Sequence, residues 1–286
     1  MHSILITGGT GSFGQAFARR LLADNTYDRI CIFSRGEHAQ AAMRQALKDD
    51  KRLRWFIGDV RDKERLTRAC RGVGTIIHAA ALKRIEVGAY NPDEMVKTNV
   101  LGAMNVIDAA ITNHVQKVVA LSTDKAYQPI SPYGQTKALA ESLFLNANDI
   151  HGVVLSRFSV VRYGNIWNAQ GSIVPKWRAL LEAGEARLPV TDPEATRFFM
   201  RLDEAVALVL YALTTMANEV LVPAMLPAYR LADLASAFAA TFGGVAPEVV
   251  GMPPWEKVHE SMAEWRCSKD ARRMTVDELR EELKRG

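Results

Sequence analysis

Tyr133 and Lys137 stand four residues apart in a stretch of helical pattern, which puts them on one face of a helix. A cation so placed depresses a phenol's pKa, and a phenolate can take a hydroxyl proton while hydride leaves the same carbon. Tyr-x-x-x-Lys alone is a weak signal, but here a Ser122-Thr123 pair precedes it and supplies hydroxyls for the reacting oxygen. Asp124 and Lys125 come next, an acid and a potential base beside the Tyr. A simple oxidation has no need of that pair, so it points to further proton chemistry on the same substrate. The plain alternative is an ion pair at a strand end, yet both residues directly follow the Ser-Thr pair that must face a cofactor. The candidate catalytic set is Thr123, Asp124, Lys125, Tyr133 and Lys137.

Hydride needs an acceptor, and the N-terminus offers a place for one. The run Ile4-Leu5-Ile6-Thr7-Gly8-Gly9-Thr10-Gly11-Ser12-Phe13-Gly14 reads as a strand, a glycine turn and the start of a helix. In a dinucleotide fingerprint Gly8 permits the tight turn, Gly11 lets backbone approach a pyrophosphate, and Gly14 allows close helix–strand packing. Thr10, Ser12 and Phe13 complete that candidate cradle. The second strand ends at Ser34-Arg35 with no carboxylate, which suits a ribose 2′-phosphate and so NADP; if Arg35 only stacks on adenine, NAD is accommodated instead. Asp59 is placed to accept from the adenine amino group or to cap the helix beginning at Asp62, and Val60 to pack on the ring. Small Ala79, Ala80 and Ala81 leave room for the pyrophosphate and nicotinamide ribose. Asn99, inside a long helix, is placed to bond backbone beneath the site.

The elements that must position these groups alternate through the first half. Strands are expected at Ser3–Thr7, Arg29–Ser34, Leu53–Ile57, Thr75–Ala79, Lys117–Ser122 and Val153–Arg157, with helices near Gln15–Ala23, His38–Lys48, Asp62–Cys70, Pro92–Asn113 and Tyr133–Ile150. That order predicts an α/β fold with a doubly wound parallel Rossmann sheet. The alternation degrades after residue 162, so residues 1–162 read as the NADP-binding domain. Residues 163–286 read mainly as a smaller C-terminal substrate-binding cap, with some elements returning to the core and Arg157–Asn165 crossing between the lobes. A loop is expected at Pro189–Thr196, helices at Asp203–Met216 and Leu231–Phe242, a strand at Glu219–Val222, and a charged amphipathic helix at Thr275–Arg285.

The 286 residues are 48% hydrophobic and can bury a full core, and the net charge of +4 is spread over isolated pairs. No basic block interleaved with aromatics points to nucleic acid. Cys31, Cys70 and Cys267 lack metal spacing, and no paired-histidine motif occurs, so no metal site is expected. No signal peptide or membrane-length apolar run is seen, and a reduced, cytoplasmic protein is the expectation.

The assembled residues resemble the extended short-chain dehydrogenase/reductases, and within them the inverting UDP-N-acetylglucosamine 4,6-dehydratases of polysaccharide biosynthesis. The general part is the fingerprint with Tyr133-x-x-x-Lys137. The specific part is Ser122-Thr-Asp-Lys-Ala126, His78-Ala-Ala-Ala-Leu-Lys83, Tyr90-Asn-Pro92 with Lys97-Thr-Asn99, Arg162-Tyr-Gly-Asn165, Gly171-Ser-Ile-Val-Pro175, Thr191-Asp192 with Thr196-Arg-Phe198, and Glu256-Lys-Val-His-Glu260. The chain departs from the family pattern at Pro253 and Trp255, where an Arg and a Gly usually precede the last motif. The resemblance implies cofactor contacts at Lys83, Ser122, Tyr133, Lys137 and Tyr163. It implies substrate contacts at Lys83, Thr123, Asn165, Ser172, Val174, Pro175, Thr191, Arg197 and Glu260, with Arg197 as a phosphate clamp or a cap-to-core contact. It further implies a nucleotide-diphosphate sugar as substrate, NADP held through an internal hydride transfer from C4 to C6, and a homo-oligomer. In that chemistry Tyr133, acidified by Lys137, opens the C4 oxidation, Lys125 with a lowered pKa takes the C5 proton, and Asp124 protonates the C6 hydroxyl. A 5,6-dehydratase, a 4-epimerase and a non-catalytic nucleotide sensor stay open at this stage.

Overall fold

The computed structural model describes residues 2–150, 156–169 and 171–285. The first half runs β1 (Ser3–Thr7), α1 (Ser12–Asp24), β2 (Arg29–Ser34), α2 (Glu37–Ala46), β3 (Leu53–Ile57), α3 (Lys63–Ala69), β4 (Thr75–His78), α4 (Ile85–Tyr90) and α5 (Pro92–Met95). A π-helical turn over Val96–Leu101 then leads into α6 (Gly102–Thr112), β5 (Lys117–Thr123), a 3-10 turn over Asp124–Ala126, α7 (Pro132–Ile150) and β6 (Arg157–Tyr163). The rest comprises α8 (Ile173–Glu182), β7 (Arg187–Val190), β8 (Thr196–Phe198), α9 (Leu202–Thr215), β9 (Val220–Leu221), β10 (Ala228–Arg230), α10 (Leu231–Phe242), β11 (Ala246–Val249), β12 (Ser261–Ala263), β13 (Arg266–Cys267) and α11 (Val276–Lys284).

Seven parallel strands form the central sheet in the order β3-β2-β1-β4-β5-β6-β9. Their apolar, β-branched runs are buried on both faces, as parallel strands covered by helices must be. One face packs Phe13, Phe17 and Leu21 of α1 with Val206 and Val209 of α9. The other packs Leu66 of α3, Val106 and Ala110 of α6, and Phe144 of α7. Strand β1 pairs with β2 on one side and β4 on the other, so the chain reverses its direction of winding there. The crevice at the carboxyl ends of these strands is where such a sheet takes its ligand.

Two expectations shift. The sixth strand lies at Arg157–Tyr163, paired with β5 through Leu121↔Val161, Ser122↔Arg162 and Thr123↔Tyr163. Residues 153–155 of the expected strand lie outside the described residues, and the stretch read as a link between lobes is a central strand. The apolar stripe of α11 packs on its own chain. Leu279 and Leu283 are buried in the cap core with Val174, Trp177, Leu188, Leu234 and Phe238 of the same chain. Among the described residues no helix is long and apolar enough to cross a membrane.

Candidate active site

The glycine turn builds a cradle from backbone. Gly8 has φ +64, and a Cβ there would sit 2.8 Å from the backbone of Ala79 and Ala80. A Cβ on Gly14 would sit 2.5 Å from the Gly9 carbonyl, so α1 meets the turn at backbone distance. No side-chain hydrogen bond caps α1 and no acidic residue stands in its first turn, which leaves the helix N-terminus suited to an anion. Gly8, Thr10, Gly11, Ser12, Phe13, Gly14, Ser34, Arg35, Asp59, Val60, Ala79, Ala80, Ala81 and Lys83 line one cavity of about 1360 Å³.

One alternative left open by the sequence is decided here. Asp62, not Asp59, caps α3, accepting from the Arg65 amide at 2.9 Å. Burial works against the Asp59 carboxylate, but hydrogen bonds from Arg61 at 2.7 and 2.9 Å outweigh it and hold the group below its ordinary range. Asn99 does not reach the cavity wall. From the π-helical turn its amide accepts from Leu82 N at 2.9 Å and donates to Leu82 O at 3.0 Å and Thr136 Oγ1 at 3.1 Å. It therefore ties the Ala79–Lys83 loop to α7, making the backbone bonds expected of it beneath the site.

Thr123, Lys125, Tyr133, Lys137, Ser122 and Tyr163 line the same cavity. Strand β5 ends at Thr123 and the chain turns at once through Asp124–Ala126, with Thr123 Oγ1 accepting from Lys125 N at 3.4 Å. Helix α7 lies against that turn because position 134 is glycine: a Cβ there would be 2.2 Å from Lys125 O. Burial pushes the Tyr133 phenol up to about 12, while the Lys125 charge and a hydrogen bond with Thr123 pull the other way. Lys125 is thus a cation whose charge favours the phenolate. Lys137 donates to Leu121 O at 2.6 Å, and burial brings its pKa down to about 8 against the pull of Glu141.

Lys125 is the centre of a polar cluster. Its Nζ lies 3.1 Å from Asp124 Oδ1, 3.2 Å from Asn165 Oδ1 and 3.5 Å from Glu260 Oε1. Burial would lower its pKa, but the two carboxylates outweigh burial and raise it. The lowered pKa expected of Lys125 is therefore not found, because a second carboxylate, Glu260, joins Asp124 beside its ammonium. Asp124 is 0% exposed, with Oδ1 toward Lys125 Nζ and Oδ2 without a hydrogen-bond partner among the described residues.

Of the expected substrate residues, Asn165, Ser172, Val174, Thr191, Arg197 and Glu260 line the cavity and Pro175 does not, since the first turn of α8 carries it off the wall. Arg197 is buried, with Nη1 donating to Thr196 O at 2.8 Å and Val258 O at 3.1 Å, so part of its guanidinium holds the cap together. Two supporting residues escaped the sequence reading. Glu141 receives Arg162 Nε at 2.9 Å, and Arg162 Nη1 also donates to Met262 O, joining α7 to β12. Glu141 continues the four-residue spacing of Tyr133 and Lys137, which was the available signal. Trp255, one of the two departures from the family pattern, lines the cavity beside Glu256.

The family described as polysaccharide biosynthesis protein matches residues 4–277. An inverting UDP-N-acetylglucosamine 4,6-dehydratase of Campylobacter jejuni subsp. jejuni serotype O:23/36 is 44% identical over 261 residues, which is 91% of this chain and 77% of that protein. A UDP-glucose 4-epimerase of Rickettsia prowazekii is 40% identical over 264 residues, again 91% of this chain and 77% of that protein. The solved structure of Pen from Bacillus thuringiensis superposes with a TM-score of 0.93 at 29% identity, covering 100% of this chain and 98% of that one. By the extent of these matches, and with a Tyr-Lys helix set beside a glycine cradle on a Rossmann sheet, the chain belongs to the polysaccharide biosynthesis family of extended short-chain dehydrogenase/reductases.

Proposed function

We propose that this chain is a nucleotide-diphosphate-sugar 4,6-dehydratase that acts on UDP-N-acetylglucosamine with inversion at C5 and holds NADP throughout. The observation that carries the reading is the Lys125 ammonium set between Asp124 and Glu260 while also serving the Tyr133 phenol. A 4-epimerase needs only the oxidation half of this machinery; a buried ammonium at the wall with two carboxylates beside it is suited to moving protons at C5 and C6.

The cradle fits a dinucleotide: the α1 N-terminus suits its diphosphate, and Arg35 at the tip of β2 on the cavity wall supports the reading of a ribose 2′-phosphate. When bound, the nicotinamide takes hydride from C4 and returns it to C6. Tyr133 removes the C4 hydroxyl proton as the C–H bond breaks, and Thr123 orients that oxygen. Lys137 fixes α7 to the end of β5. Once C4 is a ketone the C5 proton is acidic, and Lys125 takes it after giving its own proton to one of the two carboxylates beside it. Arg197, Asn165 and Thr191 line the part of the cavity assigned to the sugar diphosphate. Cys31 and Cys70 are buried with thiols raised above their ordinary value, as inert cysteines of a cytoplasmic enzyme would be.

Incubation with UDP-N-acetylglucosamine and mass spectrometry tests the reading. The expected product has lost one water and, made in D₂O, carries one deuterium at C5 with the ring couplings of the inverted sugar. NADP, not NAD, should be released from the denatured protein. A new isomer of unchanged mass would mean an epimerase, and an exocyclic alkene would mean a 5,6-dehydratase; either overturns the proposal.

A further inference from the structure

Tyr229 is a buried aromatic residue of the cap that the proposed chemistry leaves unused. It stands on β10 directly opposite Arg197 of β8, and residues so paired in an antiparallel ladder turn their side chains to the same face. Both line the cavity. Tyr229 is 3% exposed, and Trp167 meets its ring edge to face, with centroids 6.0 Å apart and planes at 81°. The Tyr229 phenol hydrogen-bonds the Asn165 side chain, and Asn165 Oδ1 lies 3.2 Å from Lys125 Nζ. These two contacts fix which way the amide faces. An ammonium can only donate, so Lys125 takes the amide oxygen and the amide NH₂ is left to reach the phenol. The Tyr229 oxygen therefore accepts from Asn165. Burial raises the phenol's pKa against the charges of Arg197 and Lys125 and the Asn165 bond, so the hydroxyl keeps its proton.

That proton has few places to go. Arg197 and Lys125 are donors only. Asp124 Oδ2 and Glu260 Oε2 have no hydrogen-bond partner among the described residues, so neither oxygen receives it. Asp124 Oδ1 is occupied by Thr123 and Lys125. The direction left to the hydroxyl is into the cavity.

We infer that Tyr229 is a substrate-binding residue whose hydroxyl donates a hydrogen bond to an oxygen of the hexose. The assignment rests on the dehydratase reading, which puts a nucleotide sugar in the cavity with its C5 beside Lys125. One amide separates that ammonium from the phenol, so the acceptor belongs to the sugar ring and its substituents, not to the diphosphate. Thr123 and Tyr133 serve the C4 oxygen from the end of β5 and from α7. Tyr229 holds the same ring from the cap.

Tyr229→Phe is the test, since it keeps the ring against Trp167 and removes only the hydroxyl. With UDP-N-acetylglucosamine the variant should show KM raised about 5- to 10-fold, the usual effect of losing one hydrogen bond, and kcat little changed. Affinity for UDP, which lacks the hexose, should match that of the wild-type protein in calorimetry. An unchanged KM would overturn the assignment. Equal weakening of UDP and of the nucleotide sugar would put the hydroxyl on the diphosphate and overturn it as well. A fall in kcat with no rise in KM would mean that Tyr229 acts on Lys125 through Asn165 without touching substrate, which also rejects it. If the wild-type protein removes water from no nucleotide sugar, the dehydratase reading fails, and this assignment falls with it.

Discussion

The Tyr133 phenol must lose its proton in a place that opposes the loss, since burial alone pushes it up to about 12. Two lysines compete for the task of helping it. Lys137 shares the helix face, but its ammonium is directed to Leu121 O at 2.6 Å. Lys125, delivered by the turn after β5, is a cation whose charge acts on the phenol. The four-residue spacing of Tyr and Lys was legible in the sequence because helix geometry fixes it. Which lysine faces the phenol was not, because that depends on how β5 ends. On the proposed reading Lys125 serves both the oxidation and the later proton transfer at C5. Lys125→Ala removes a positive charge from beside the phenol, so the phenol pKa rises and the phenolate fraction at any given pH falls. Single-turnover absorbance of reduced nicotinamide should therefore show oxidation surviving, with its pH profile displaced to higher pH, and no loss of water. Oxidation with an unmoved profile would mean that Lys125 does not act on Tyr133. Tyr133→Phe should show no oxidation at any pH.

At the scale of elements, the site is made by three segments brought close: the turn Asp124–Ala126, the N-terminal end of α7, and the loop Ala79–Lys83. The strands β1 to β5 could be read from the sequence, since short β-branched runs bounded by turn residues have few other uses. The sixth strand was expected too early, as Val153-Val-Leu155 and Phe158-Ser-Val-Val161 are two apolar runs divided only by Ser156-Arg157, and nothing in the sequence says which one pairs with β5. Nor was the π-helical turn over Val96–Leu101 visible inside an otherwise ordinary helical pattern, although it is what places Asn99 over Leu82. The contact between the turn and α7 has a sharp requirement. At Gly134 a Cβ would lie 2.2 Å from Lys125 O and 3.0 Å from Pro129 Cβ, and neither backbone nor ring gives way cheaply. Gly134→Ala should cost about 1–3 kcal/mol, as overpacking does, and should move Tyr133 relative to Thr123 and Lys125. A thermal melt checks the first effect and the oxidation burst the second. A destabilised variant with an undiminished burst would show that the close approach serves stability alone.

At the scale of the whole molecule, the cavity has one wall from the sheet and one from the cap, and the cap is held together by its own small core. Glu260 and Arg197 belong to that second wall, which explains why the sequence reading placed them near substrate without seeing their tie to Lys125: their separation in sequence from residue 125 carries no pattern. Helix α11 is part of the support. Thr275 and Glu278 form a capping box, Leu279 is 0% exposed and Leu283 is 1% exposed, and Arg201 pairs with Glu282 across to α9. Trp167, which lines the cavity, donates its indole N–H to Glu282 O at 3.4 Å. The two sheet cores contain no residue of α11. Truncating Leu279 to Ala should therefore cost about 2–5 kcal/mol, and the cost should fall on the cap first. Amide hydrogen exchange is expected to quicken in α8, α10 and α11 while β1 to β6 stay protected. Nucleotide-sugar affinity should drop more than nicotinamide affinity, because the cofactor cradle draws its packing from the sheet. Uniformly faster exchange, or equal loss of both ligands, would mean that the cap and the sheet open as one unit and that α11 steadies the entire molecule.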